Sequence, residues 1–298
     1  MKILSFIENN YKKFLIISIS IFVIFVGIIL FNYFKYGYII NKSITISGGY
    51  VTLINNNYHI ANSEIKNVLN QMNITDYVLY NTPNIIYIES GKQINETLLI
   101  NLLNQDYNIK LLPTDISIQQ YSSLVGNLIF NQFLFFVILA MILAAFIIFI
   151  AFRASKITLN IISTILFDVV GLLAILSITK YPIGANGFIG MLMILGFAID
   201  NNVVLSTNIV KEKDKPFIER VRMSFRVGML MEIIALYTLL LLYFIVPEPS
   251  VDEFAFVLSI AIILDLLYYL IGNIPLYKYF EAKKEQENYT STTISALQ

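Results

Sequence analysis

The sequence predicts an α-helical membrane protein with six transmembrane helices, one plus five, and a small α+β ferredoxin-like domain between helices 1 and 2. Three observations carry this expectation. Of the 298 residues, 57% are hydrophobic and 13% charged, about half the charged share of a soluble globular protein. Six apolar runs, at roughly 14–34, 129–152, 157–179, 183–209, 223–246 and 252–276, each come near the length a bilayer demands. The segment between the first and second runs is polar and changes its periodicity. The chain therefore divides into an N-terminus with its first helix (1–35), an extracytoplasmic domain (36–125), a five-helix bundle (126–277) and a tail (278–298). The polarity of that tail suggests disorder.

The first run follows Lys12 and Lys13 and is longer than the apolar core of a signal peptide. The segment "NYFKYGY" after it has no small-residue cleavage site, so the run is expected to be retained as a helix. In the polar segment, "YVTLI", "DYVLY" and "NIIYIES" have strand character, with "NTP" as the hairpin turn between the last two. "NSEIKNVLNQM" opens on Asn62 or Ser63 as a cap and sets Ile65, Val68, Leu69 and Met72 on one helical face. "NETLLINLLNQ" follows the same pattern, and "NIKLLPTDISI" supplies a final strand. The resulting order β-α-β-β-α-β is the ferredoxin-like one.

Lysine and arginine placement orients the spans. With the N-terminus inside, the inner segments hold Lys2, Lys12 and Lys13, then Arg153 and Lys156, then Lys211, Lys213, Lys215, Arg220 and Arg222, then Lys278, Lys283 and Lys284. The short outer loops hold Lys180 alone, and "VPEPSVDE" is purely acidic. Both termini are expected in the cytoplasm, with the chain a multi-pass protein of the cell membrane. Twenty basic residues balance twenty acidic ones, so no whole-chain charge favours nucleic acid. The absence of cysteine excludes disulfides and thiolate metal sites. The single histidine, His59, makes a histidine metal site or a Ser/His triad untenable and is expected at the surface. No cofactor or metal is implied.

Polar groups inside the spans are the candidate site. Asp168, Asp200, Glu232 and Asp265 lie on four successive helices, each roughly 14–18 Å from the cytoplasmic end at the helical rise. Intramembrane acids usually face a bundle interior or a water path. Arg226, near the start of the fifth helix, is the candidate counter-charge. Asp200 opens a polar run through Asn201, Asn202, Ser206, Thr207 and Asn208. Two readings stay open for these groups: a proton relay along a polar seam, or polar glue between helices. Gly184, Gly187 and Gly190, with Gly196 beyond, form a row that admits close packing of another helix.

These residues resemble those of the SecF family, the smaller partner of SecD in protein export, within the resistance-nodulation-division (RND) superfamily. "ISGGYVTL", Ile46 to Leu53, is similar to the segment that opens the family's exported domain, with Gly48 and Gly49 as its motif. "GFAIDNNVVLSTNI" is similar to the fourth-helix signature, and Phe167-Asp168 sits where the third helix carries its acid. "IILDLLYYLIGNIPLYKYF" looks like the end of archaeal members, while the second acid of their fourth helix is Asn202 here. The resemblance implies a non-enzymatic translocase subunit that pairs with SecD, works beside the Sec protein-conducting channel on preprotein substrates, and sits in membrane lipid. Bacterial relatives draw on the proton gradient. Two alternatives are half of another RND-type exporter and an intramembrane aspartyl protease using Asp168 and Asp200. The protease patterns Tyr-Asp and Gly-x-Gly-Asp fail against Phe167-Asp168 and Phe197-Ala198-Ile199-Asp200.

The charge asymmetry makes a direct prediction. A cysteine at Asn57 reacts with an impermeant thiol reagent added outside, and one at Lys213 does not; the reverse pattern overturns the orientation.

Overall fold

The computed structural model describes residues 2–153, 155–212, 214–246 and 248–296, so Lys213 lies outside the described residues. A short helix α1 (Lys2–Asn9) leads into α2 (Tyr11–Tyr36), the first candidate span. Gly37, in the left-handed conformation, ends it by donating its N–H to Tyr33 O. The domain follows as α3 (Ile44–Ser47), β1 (Gly49–Asn55), α4 (Asn62–Gln71), β2 (Tyr77–Asn81), β3 (Ile85–Ser90), α5 (Glu96–Tyr107) and β4 (Ile116–Tyr121). Five candidate spans complete the bundle: α6 (Ser123–Phe152), α7 (Ser155–Thr179), α8 (Ala185–Lys211), α9 (Phe217–Ile245) and α10 (Pro249–Tyr268), the last continued by α11 (Ile274–Ala296).

The domain sheet has the order β2-β3-β1-β4 with every neighbouring pair antiparallel. That is the ferredoxin-like arrangement, with α4 and α5 packed on one face through Ile65, Leu69, Leu99 and Leu103 against Ile54, Ile86 and Ile88. Two local details differ from expectation. The cap of α4 is Ala61 rather than Asn62 or Ser63, because Glu64 reaches back to accept the Ala61 N–H at 3.0 Å. The last strand starts only at Ile116, because Pro113–Asp115 form a 3-10 turn where Pro113 has no N–H for a ladder. His59 is exposed, as expected.

The domain is fastened to the bundle at two places. The stretch after α2 hydrogen-bonds to the α7–α8 loop, with Ser43 N–H donating to Ile183 O (3.0 Å) and Ile183 N–H to Asn41 O (2.8 Å). At the second, α3 lies against the start of α6. Gly48 (φ 83°) and Gly49 (φ 151°) adopt backbone angles that L side chains avoid. A Cβ on Gly48 would sit 2.7 Å from Ser123 N, and one on Gly126 would sit 1.9 Å from Ile46 O. These glycines let Ile46 sink into the bundle core beside Phe133 and Ile183.

Within the bundle α8 is central, packing on α6, α7, α9 and α10, most extensively on α10. Glu253, in the first turns of α10, explains the glycine row. Its carboxylate accepts the Gly187 N–H at 2.7 Å and also the Gly184 N–H, so it caps the start of α8. A Cβ on Gly187 would stand 2.4 Å from Glu253 Oε1, and one on Gly190 3.2 Å from Val257. The close approach at Gly184, Gly187 and Gly190 is thus taken up inside this chain. Gly196 differs: nothing lies within 4 Å of its Cβ position. The tail also departs from its composition, since α11 remains helical to Ala296.

The two kinds of glycine are predicted to respond oppositely. Gly187→Ala pushes Glu253 off the helix start and lowers stability by about 2 kcal/mol, the scale of a charged hydrogen bond. Gly196→Ala meets no obstacle and leaves the isolated chain as stable, or up to ~1 kcal/mol more so through helix propensity. Thermal aggregation midpoints in detergent distinguish the two.

Candidate functional site

The site is set by the phase of α8. Successive helical residues are about 100° apart, so Asp200, Asn201 and Asn202 point to three different surroundings. Asn201 is buried and turns toward α9 and α10. Its Nδ2 donates to Glu232 Oε1 in a short bond and to Asp265 Oδ2 at 3.3 Å. Room for the amide comes from Gly228 on α9, where a Cβ would stand 2.1 Å from Asn201 Oδ1. Asp168 on α7 is fully buried, with Asp265 and Glu232 as the charges that act on it. Two carboxyl groups, from α9 and α10, thus share one amide, and the buried Asp168 on α7 accepts no hydrogen bond from it. Among the described residues none of the three is in an ion pair.

Asn202 turns the other way, toward α7 and the α10–α11 junction. Its Nδ2 donates to Ala198 O (2.7 Å) and to Thr164 Oγ1 (3.1 Å), and Thr164 in turn donates to Asn273 Oδ1 at 2.8 Å. Asn273 is presented by a π-helical turn, Tyr269–Asn273, just before Pro275, whose missing N–H breaks the regular ladder. Nearer the end of the bundle that carries both termini, Ser206 Oγ lies 2.5 Å from Tyr277 OH and donates to Asn202 O at 2.6 Å. Asn208 then meets Ser224 at 2.9 Å. Below it, Arg220 donates to Ile209 O at 2.8 Å and pairs with Glu281. Lys278 joins Glu281 (3.6 Å) to Glu8 (3.1 Å). A polar track therefore descends from the three acids to the terminal end of the bundle. Toward the domain, the packing around α8 becomes apolar, with Phe188, Met191 and Ile194.

The structure separates residues that the sequence grouped. Asp168, Glu232 and Asp265 are buried in the bundle, while Asp200, grouped with them by depth, is exposed on the outer face of α8. Arg226 is exposed too, and among the described residues neither it nor Asp200 has a salt bridge or hydrogen-bond partner. Asp168 and Asp200 do not face each other as the dyad of the protease alternative requires. Thr164, Asn273, Tyr277 and Ser224 were not singled out from the sequence, and Arg220 was named only as a basic residue of an inner segment. Apart from Arg220, they are uncharged residues on helices other than α8, and helical phase alone does not show that they meet.

Asn201 is the residue whose loss this geometry makes most costly. Asn201→Leu strands two buried carboxyls and lowers the stability of the detergent-solubilised chain by about 3 kcal/mol. Asn208→Leu, which breaks one partly buried bond, costs less than ~1.5 kcal/mol. Thermal midpoints of the two variants measure the difference.

Known proteins share this architecture. Residues 105–283 match the family described as protein export membrane protein SecD/SecF, C-terminal. The protein-export membrane protein SecF of Pyrococcus furiosus is 21% identical over 285 residues, covering 94% of each chain. That of Methanopyrus kandleri is 26% identical over 158 residues, 53% of this chain and 58% of the relative. The crystal structure of a SecDF, described as a translocon-associated membrane protein from a Thermus species, superposes with a TM-score of 0.66 at 15% identity. The match covers 93% of this chain and 38% of SecDF, so this chain spans under two fifths of that protein and shares its fold over that part. With the family match reaching across more than half of its length, the chain belongs to the SecD/SecF family of protein-export membrane proteins.

Proposed function

We propose that the chain is an auxiliary subunit of the Sec protein-export machinery. It pairs with a SecD-type half-bundle, holds its α+β domain outside the membrane and its termini inside, and assists preproteins across beside the protein-conducting channel. The observation that carries the reading is the exposure of Asp200. A carboxylate in the middle of a spanning helix costs about 2.5–3.5 kcal/mol against lipid. It belongs against another protein or a water path. Ile189, Met193, Gly196 and Asp200 follow one another at helical spacing on the exposed side of α8. Gly196 offers an unobstructed close approach for another helix. The stripe suits a seam with a second half-bundle better than a lipid-facing wall.

The seam would contain one group able to change charge, Asp200, one helical position away from Asn201 and the three buried acids. This neighbourhood supports a role in coupling a proton gradient to export. Arg226 is exposed on α9, two residues from both Ser224 and Gly228, so it does not share the face that meets α8 and is no counter-charge to Asp200 within this chain. The buried acids and the track below them hold the helices in register, as polar glue would. Asp200 is the member that an assembled partner would cover.

Two measurements test the reading. Met193→Cys crosslinks to a second membrane protein of similar six-helix layout, while Gly187→Cys crosslinks only within the chain; the opposite pattern rejects the seam. Asp200→Asn retains assembly with that partner but reduces export under an imposed proton gradient to the level seen without one. Normal assembly together with normal gradient-driven export removes Asp200 from any relay.

A further inference from the structure

Two adjoining cavities at the domain end of the bundle differ sharply in chemistry. One, of about 350 Å³, is a slot between α2, α6, α7 and α8, walled by residues such as Phe133, Val137, Leu173 and Met191. From Phe133 to Val137 on α6, and from Phe188 to Ile194 on α8, it runs into the bundle for about 6–9 Å at the helical rise. The other, of about 590 Å³, is a polar basin under the domain, bordered by Lys42, Ser43 and Lys180. Tyr38, Ile40 and Lys42 border both cavities. An apolar slot opening through one lysine into a polar basin has the division of an amphiphile.

The placement of the cations sharpens the match. Lys42 Nζ stands 4.1 Å from the Phe130 ring centroid, so its stem covers apolar surface while its charge sits at the mouth of the slot. Lys180 is 3.3 Å from Tyr36 OH and 4.3 Å from that ring's centroid, and its backbone carbonyl is tied to Asn41 Nδ2 at 2.8 Å. The stretch of chain bearing Lys42 is fixed to the loop bearing Lys180 by the Ser43–Ile183 and Asn41–Ile183 hydrogen bonds. The lysines are therefore held near each other by backbone, rather than carried on separate mobile loops. Asp76 and Glu89 also line the basin. Glu89 is engaged by the Ser43 hydroxyl at 3.2 Å, and burial pushes its carboxyl above the usual range.

We propose that this end of the bundle holds one phospholipid, with its phosphate at Lys42 and Lys180 and an acyl chain in the slot beside Phe133. Basic pockets between spanning helices recognise lipid headgroups by charge, and an apolar slot between helices adds a chain-specific contribution that bulk bilayer contact lacks. The lipid would stand between the first helix and the bundle, directly beneath the domain. This site is separate from Asp200 and from the buried acids, and it does not depend on the reading given to them.

The chain has no tryptophan, which allows a direct test on the full-length protein in detergent. Phe133→Trp places a single fluorescent reporter in the slot, and Phe146→Trp, in a separate variant, places one on the exposed side of α6. Phosphatidylglycerol brominated in its acyl chains is the probe. Quenching of the Phe133→Trp variant saturates at one lipid per chain, at lipid levels where the Phe146→Trp variant is quenched less than a tenth as much. Adding Lys42→Gln and Lys180→Gln to the Phe133→Trp variant raises the half-saturating concentration at least tenfold. Glycerol 3-phosphate at the same concentration does not displace the lipid, and brominated diacylglycerol, which has no phosphate, quenches weakly. Equal quenching of the two reporters, or unchanged affinity without the lysines, overturns the site. Displacement by glycerol 3-phosphate would mean that the headgroup binds without the slot, and equal quenching by diacylglycerol would mean that the slot binds without the lysines; either also overturns it. A near-wild-type thermal midpoint for each variant excludes misfolding as the cause, and Leu173→Phe, a milder way to obstruct the slot, repeats the comparison if the double lysine variant is unstable.

Discussion

The amide of Asn201, placed between the carboxyls of Glu232 and Asp265, is the contact on which the middle of the bundle depends. In a bilayer no water is at hand to satisfy a buried polar group, so each one dictates where its neighbours must be. Asn201 draws α9 and α10 to α8, and Gly228 removes the side chain that would keep α9 away. Asn202, one step round the helix, does the same for α7 and the α10–α11 junction through Thr164 and Asn273. Two adjacent asparagines thereby define the orientation of the four helices most involved in the core. An apolar α8 would bring the same helices together with far less specificity, since lipid tails compete equally well for apolar contact.

A second constraint governs the other end of α8. The first N–H groups of any helix lack intrahelical partners, and Glu253 satisfies two of them from α10. Gly184 and Gly187 are the residues that make such an approach possible. The α7–α8 loop that precedes them also hydrogen-bonds to the chain entering the domain. Domain, loop and helix start thus form one connected structure, with Gly48 and Gly126 adding the close contact at α6. A load on the α+β domain would be transmitted to the bundle through these few backbone contacts.

The chain leaves two surfaces whose chemistry is unfinished within it. On one, a carboxylate stands alone on the outer side of α8. On the other, Lys42 stands at the mouth of a slot of aromatic and aliphatic side chains and Lys180 borders the polar basin beside it. They lie at different depths and carry opposite charge, so they call for different occupants. The first suits a protein half-bundle with its own polar seam. The second suits a molecule that is itself half apolar and half anionic.

The sequence alone determined the six spans, the domain between the first two and the strand and helix order of that domain. These follow from run length and periodicity, which are local. The glycine spacing was legible as a row on one face of α8, though not what each glycine meets: Gly196 has nothing within 4 Å of its Cβ position. Tertiary structure decided which groups meet. Asp168, Glu232 and Asp265 could be found one by one as acids in apolar runs, but the meeting of Glu232 and Asp265 at Asn201 depends on how three helices are rotated about their axes. The same rotation turns Asp200 outward although it is adjacent to Asn201, and assigns Gly184, Gly187 and Gly190 to α10 of the same chain rather than to another protein. Helical persistence beyond Phe280 was likewise not legible, because a polar composition does not register the support that Glu281 gains from Arg220 and Lys278. Rotation and long-range pairing are set by contacts between residues far apart in the chain, and a one-dimensional pattern carries no phase between one helix and the next.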